Sequence, residues 1–385
     1  MRRIYLDHNA TTPLRPEVLD AMTPFLSDAF GNASSIHHWG REARAAVDDA
    51  RERLAQLLGA KPSEIIFTSG ATEADNLAIK GIAHYWLGKG KHIITSQIEH
   101  HAVLHTCQYL EKREGFEVTY LPVDADCLVN PDDVRKAIRA ETILVSIMAA
   151  NNETGTVQPL TEIGKICGER GVFFHTDAVQ AFGKIPSRPA DWNADLLSIS
   201  AHKFYGPKGA GVLYVRSGTR LHPTQQGGSQ ENERRGGTEN VAAIVGMAKA
   251  AELAVSKMGD EAPRLLQFTE ALWERISRSI KGIHRNGHTI HRVPNTLHIC
   301  CEDCDGEALL FGLDIEGVAV SSGSACAVGS LEVSHVLLAM GRSPELAEAA
   351  VRFSFGSQNT EADVSYTVEA LARVLTRLRS FRVAA

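Results

Sequence analysis

Leu196-Leu197-Ser198-Ile199-Ser200-Ala201-His202-Lys203, followed by Phe204-Tyr205-Gly206-Pro207-Lys208-Gly209, decides how the chain is read. The apolar run predicts a short buried strand, and the Gly/Pro-rich turn ends it. Two hydroxyls, a histidine and a lysine stand at its carboxyl end. A lysine there is poorly placed as a solvated surface charge. Partial desolvation lowers an amine's pKa and makes it a nucleophile.

Working outward, the same rhythm repeats. Glu64-Ile65-Ile66-Phe67-Thr68, His92-Ile93-Ile94-Thr95 and the runs 118–121, 143–148 and 172–175 predict strands. Stretches 40–58, 74–85, 102–113, 131–139 and 161–170 predict helices. Gly211-Val212-Leu213-Tyr214-Val215 is expected as a return strand at the sheet edge. The alternation implies an α/β fold, a mainly parallel sheet with helices on both faces. Helical pattern returns over 240–256 and again over 263–280, before a smaller α/β portion with strands near 296–300, 318–320 and 351–354. We expect residues 15–260 to form a large domain. Residues 1–14 and 261–385 would form a small one, carrying a mobile cysteine loop at about 321–331.

The 385 residues carry a net charge of -6 and are 44% hydrophobic, which suits a soluble globular protein. Mild acidity argues against a nucleic-acid surface. No apolar run is long enough to span a bilayer. Seven scattered cysteines predict a reduced, cytoplasmic chain with free thiols.

In such a sheet, ligands bind at the carboxyl ends of the strands. After strand 64–68 comes Ser69-Gly70-Ala71-Thr72 at a helix start, where backbone N–H groups and the helix dipole favour a phosphate. After 92–95 come Glu99-His100-His101. Adjacent histidines point apart and make a poor metal site, and Cys300, Cys301 and Cys304 lack a second ligand group at fitting spacing. Asn151-Asn152 follows strand 143–148, and Asp177-Ala178-Val179-Gln180 follows the run Val172-Phe173-Phe174. A buried Asp calls for a cation. One ligand accounts for all of these ends together with Lys203: pyridoxal 5′-phosphate, held as a Schiff base with a carboxylate on its ring nitrogen.

The second half adds a thiol and an arginine. Ser321-Ser322-Gly323-Ser324-Ala325-Cys326-Ala327-Val328-Gly329-Ser330 surrounds Cys326 with small residues and no packing pattern, as a reactive thiol requires. Val351-Arg352-Phe353-Ser354-Phe355 sets an arginine in an apolar strand, suited to grip a carboxylate or to form a structural ion pair.

Over nearly its whole length the chain resembles the cysteine desulfurases of the NifS/IscS type, in the class V aminotransferase family of fold-type I pyridoxal-phosphate enzymes. The residues that carry the resemblance are 5–12 (Tyr-Leu-Asp-His-Asn-Ala-Thr-Thr), Gly31-Asn32-Ala33-Ser34-Ser35, 68–73, 151–155, 175–180, 200–203 and 321–326. The resemblance implies a large cofactor-binding domain and these roles. Lys203 carries the cofactor and moves the Cα proton. Asp177 pairs with the ring nitrogen, Gln180 bonds the phenolic oxygen, and His100 stacks on the ring and shuttles a proton. Ala71, Thr72, Ser200 and His202 hold the phosphate, and Thr238 reaches it across a homodimer interface. Asn152 and Arg352 take the substrate carboxylate, and Cys326 becomes the persulfide as L-cysteine turns into L-alanine. A sulfur-acceptor protein, such as an iron–sulfur scaffold or a tRNA-thiolation carrier, is then expected. A selenocysteine lyase of the same fold, or a non-enzymatic sulfur-carrier subunit, would share parts of this pattern.

Overall fold

The computed structural model describes residues 3–322 and 333–383. The strands in chain order are β1 (Ile4–Tyr5), β2 (Ile65–Thr68), β3 (His92–Ser96), β4 (Glu117–Leu121), β5 (Thr142–Ser146), β6 (Phe173–Asp177), β7 (Leu196–Ser200) and β8 (Gly211–Val215), followed by β9 (Ile283–Asn286), β10 (Thr296–Cys301), β11 (Val318–Ala319) and β12 (Ala350–Ser354). Seven of them form one sheet in the order β2-β8-β7-β6-β5-β3-β4. All the pairs from β7 to β4 are parallel, while β8 runs antiparallel to both of its neighbours.

The expected edge position of β8 is therefore corrected: it lies inside the sheet, between β2 and β7. All five of its residues are buried, as a strand covered on both faces requires. Gly211 makes the insertion possible. A Cβ there would fall 2.6 Å from Gly70 Cα, in the turn after β2. The true edge at β4 shows the half-exposed pattern of a border strand.

Helices cover both faces. His38–Leu58 ends at Gly59 in the left-handed region, φ 67, where glycine has no steric cost. With the first half of Val241–Ser279 it closes one core, around Val47, Leu54, Phe67, Ile199 and Met247. Ile79, Ile82, Val103 and Leu213 pack on the opposite face. A separate core gathers Leu6, Leu272, Ile299, Phe353 and Leu371 around the sheet β12-β10-β9. Each fully buried side chain of this size contributes about 1.5–3 kcal/mol.

Residues 241–279 form one helix with Pro263 inside it, where the sequence predicts two. Proline removes one backbone bond, but apolar burial continues on both sides, through Ala254 into the first core and from Leu265 into the second. β9 and the helix Pro344–Glu348 have too little periodicity to be read in advance. β1 pairs with β11, so the first residues of the chain join the second core. Residues 9–12 then cross to the large sheet, where Thr12 N donates to His202 O at 2.9 Å.

Candidate active site

The carboxyl ends of β2, β3, β5, β6 and β7 open into one cleft of about 550 Å³. Ala71, Thr72, His100, Asn152, Asp177, Gln180, Ser200, His202, Lys203 and Arg352 all line it. The sequence places these residues as much as 281 positions apart, from 71 to 352. Strand register brings the ends of β6 and β7 side by side, with Asp177 opposite Ser198.

At the end of β2 the helix Ala71–Tyr85 begins behind Gly70 with no side-chain cap. Its first N–H groups thus meet the cleft without a side-chain cap among the described residues, an arrangement suited to an anion. A Cβ on Gly70 would stand 3.7 Å from Ser200 Oγ, so the hydroxyl sits beside the same turn. His202 Nδ1 lies 3.2 Å from Thr11 Oγ1. Burial, then the charge of Lys203, pushes His202 down to about 4, so it is neutral at physiological pH.

Lys203 ends the short turn Ala201–Lys203 after β7. Its Nζ donates to Asn9 O at 2.6 Å and to Ala10 O at 2.9 Å. Asp177 is 6% exposed and its Oδ1 accepts from Val179 N at 2.9 Å. Burial pushes its carboxyl up to about 6, offset in part by the Val179 N–H and the charge of Lys203. Fully buried Asp75 sits behind it and is also pushed up, by burial first and by Asp177 second. A cation arriving at Asp177 would relieve both.

His100 caps the helix His101–Glu114: its Nδ1 accepts from Ala102 N at 3.1 Å. The proton of the neutral ring therefore sits on Nε2. Burial, then Lys203 and neighbouring histidines, holds it down to about 4. Arg352 is 2% exposed. It forms an ion pair with Asp7, Nη2 to Oδ1 at 2.8 Å, and Nη1 donates to Asn152 O at 2.9 Å. The structure shows the ion pair of the two sequence readings, at a residue that also lines the cleft. Its buried Nε makes no hydrogen bond among the described residues.

One predicted residue that the structure describes is not in the cleft. Thr238 lines a neighbouring pocket with Arg235 and Glu239. Cys326 lies outside the described residues, as does most of its loop. The six described cysteines are buried thiols, and burial pushes Cys127 and Cys167 up to about 12 and Cys300 up to about 11. Among the described residues no group of three His, Cys, Asp or Glu is arranged for a metal, and no helix is long and apolar enough to cross a membrane.

Sequence reading missed Asn9, the hub of the cleft. Its backbone O accepts from Lys203 and from Gln180 Nε2, its Nδ2 donates to Thr296 Oγ1, and its Oδ1 accepts from Lys184 and Asn295. The signals were its place in an unusually polar segment, 5–12, and that segment's part in the family resemblance.

An anion-ready helix start, an amine at a strand end and a buried carboxylate short of a cation define a pyridoxal-phosphate fold. The chain belongs to the class-V aminotransferase family, whose profile matches residues 4–367. Within it, the chain is 54% identical to the cysteine desulfurase IscS of Dictyoglomus turgidum, over 98% of this chain and 96% of that protein. Among solved structures it is similar to a NifS-like protein, with TM-score 0.92, 39% identity and coverage of 98% and 100% of the two chains. It is likewise similar to SspA in complex with cysteine, with TM-score 0.81, 40% identity and coverage of 91% and 98%. The enzymes of this family depend on pyridoxal phosphate, and the donor set described above fits that group.

Proposed function

We propose that the protein is a pyridoxal-phosphate-dependent cysteine desulfurase that converts L-cysteine to L-alanine and stores the sulfur as a persulfide on Cys326. The observation that carries this reading is the convergence of Lys203, Asp177, His100 and the uncapped start of helix Ala71–Tyr85 on one cleft.

When bound, the cofactor supplies an aldehyde that captures the substrate amine and a protonated ring that withdraws electrons from Cα. Ala71, Thr72, Ser200 and His202 would hold its phosphate, and Asp177 would keep the proton on its ring nitrogen. His100, with its Nδ1 engaged by Ala102 N, would offer its Nε2 proton. Arg352 and Asn152 orient the substrate carboxylate, which fixes the Cα–H bond toward Lys203 Nζ, the atom that takes the proton. The Cys326 thiolate attacks the substrate sulfur, the carbon–sulfur bond breaks, and the carbon skeleton leaves as alanine. Cysteine and one enzyme thiol thus become alanine and one enzyme persulfide, with no outside oxidant. The thiols of Cys107, Cys127, Cys167 and Cys300 are poor candidates, since burial pushes each of them up and disfavours the thiolate. So is that of Cys301, pushed up by its hydrogen bond with Cys304 and by burial.

We further propose a cytoplasmic homodimer in which Thr238 reaches the partner's cofactor, and a protein acceptor, such as an iron–sulfur scaffold, that takes the sulfur. The position of Thr238 outside its own cleft supports the first point. So does a run of exposed apolar residues at Phe30, Ile36 and Trp39.

The test is incubation with L-cysteine alone, followed by intact mass and peptide mapping. One sulfur atom should appear on Cys326 with one alanine released. A Cys326→Ser variant that yields alanine at the parent rate would overturn the assignment.

A further inference from the structure

Lys184 follows Gln180 by four residues in the turns that leave β6, and it takes no part in the chemistry above. Its Nζ donates to Gln180 Oε1 at 2.6 Å and to Asn9 Oδ1 at 3.0 Å. Gln180 lines the cleft, whereas Lys184 lines a small pocket behind it, with His8, Tyr205 and Phe355.

A primary amide has one oxygen and one NH₂ group, and the two ends exchange by a simple flip. Here the oxygen is taken by Lys184, and one N–H goes to Asn9 O at 3.0 Å. What Gln180 has left for a ligand in the cleft is its second N–H. A flipped amide would present lone pairs to an electron-rich ring oxygen and repel it. We propose that Lys184 is a positioning residue that locks the Gln180 amide as a hydrogen-bond donor toward the cofactor's ring oxygen.

Burial, then the charges of Lys203 and Arg352, holds Lys184 well below the ordinary lysine range. In either protonation state the amine has at least two N–H bonds, enough for its two acceptors. It therefore orders Gln180 by donation alone. Its other titratable neighbours are His8, which is pushed down to about 4, Tyr205, and the Arg15–Glu261 ion pair at 2.8 Å.

The inference rests on the cofactor reading above, and the experiment separates the two. The visible absorption of the cofactor-loaded protein is titrated with pH in the parent, Gln180→Leu, Lys184→Met, Lys184→Gln and the Gln180→Leu/Lys184→Met double variant. A donor on the ring oxygen draws electron density from the adjacent proton-accepting nitrogen, so its loss raises the midpoint. Gln180→Leu should raise it by about one pH unit, the size of a hydrogen bond to a charged oxygen. Lys184→Met should raise it about as far, and the double variant no further, as expected of two residues acting through one contact. Lys184→Gln keeps a donor and should stay near the parent.

A Lys184→Met midpoint at the parent value, with Gln180→Leu shifted, overturns the role of Lys184 and leaves the cofactor reading intact. An unmoved Gln180→Leu midpoint overturns the Gln180 assignment and the inference with it. If Lys184→Met does not take up cofactor, Lys184→Gln decides alone: a shift as large as that of Gln180→Leu sinks the proposal.

Discussion

The cleft has two walls of different character. The ends of the large sheet bring Asp177, His100 and Lys203, groups that gain or lose protons. The opposite wall, residues 9–11 as they pass from the second core, brings mostly neutral acceptors and amides. Asn9 O and Ala10 O hold the Lys203 amine at 2.6 and 2.9 Å. Asn9 in turn touches Gln180, Lys184, Asn295 and Thr296. On the proposed mechanism one wall carries the reaction and the other fixes where its groups sit. Damage to the first should therefore strike cofactor and turnover, and damage to the second should strike stability and alignment.

The largest effect expected on this comparison is Asp177→Asn. It leaves the protonated ring of the cofactor buried without a counter-charge, at about 3–5 kcal/mol. Cofactor affinity should fall about 10²- to 10⁴-fold, measured by fluorescence or equilibrium dialysis, while the cofactor-free protein melts no lower than the parent. A lowered melting temperature with unchanged affinity would show that Asp177 belongs to the framework, and the division between the walls would fail.

The first wall was largely legible in the sequence. Leu196-Leu197-Ser198-Ile199 and Val172-Phe173-Phe174 are apolar runs that end abruptly in polar residues. A doubly wound sheet turns every such ending toward one crevice. The position of β8 was not legible, because order within a sheet depends on pairing partners far away in the chain. A Cβ at position 211 would fall 2.6 Å from Gly70 Cα, a contact between segments far apart in the chain. The long helix was misread because Pro263 looks like a stop, while the burial that overrides it lies in two different cores. The second wall was the least legible. Asn9 and Lys184 are 175 residues apart, and neither stands out until the fold joins them.

Asn9→Ala probes that second wall and should have a smaller effect. The backbone carbonyl that receives Lys203 remains, but the side-chain bonds to Thr296, Asn152, Lys184 and Asn295 are lost. Each buried partner left alone costs about 1–3 kcal/mol, and neighbouring groups recover part of it. The melting temperature should drop clearly, while cofactor affinity falls less than about tenfold. An affinity loss matching that of Asp177→Asn would mean that the N-terminal segment takes a direct part in holding the cofactor.

The smallest effect, and the one that sharpens the contrast most, is the pH dependence of cofactor stabilisation. His100, His202 and His298 are held down to about 4, chiefly by burial. Their folded pKa is below the ordinary value, so their contribution is present above about 6.5 and is lost as pH falls toward 4. Asp177 behaves in the opposite sense. Its carboxyl is raised to about 6, so the stability of the cofactor-free protein is favoured while it is protonated and is lost as pH rises through 6. A ring cation reverses that loss by pairing with the carboxylate. The difference in melting temperature between loaded and cofactor-free protein should therefore grow from pH 5 to pH 7.5, by about the 1.4 kcal/mol that one pKa unit represents, or somewhat more. Titration of the cofactor's own phosphate contributes to the same slope, but it survives in Asp177→Asn. Subtracting the slope of that variant isolates the carboxylate. Equal slopes in the parent and Asp177→Asn would mean that Asp177 does not meet the ring nitrogen. The charge that places the cofactor would then have to come from another group on the same wall.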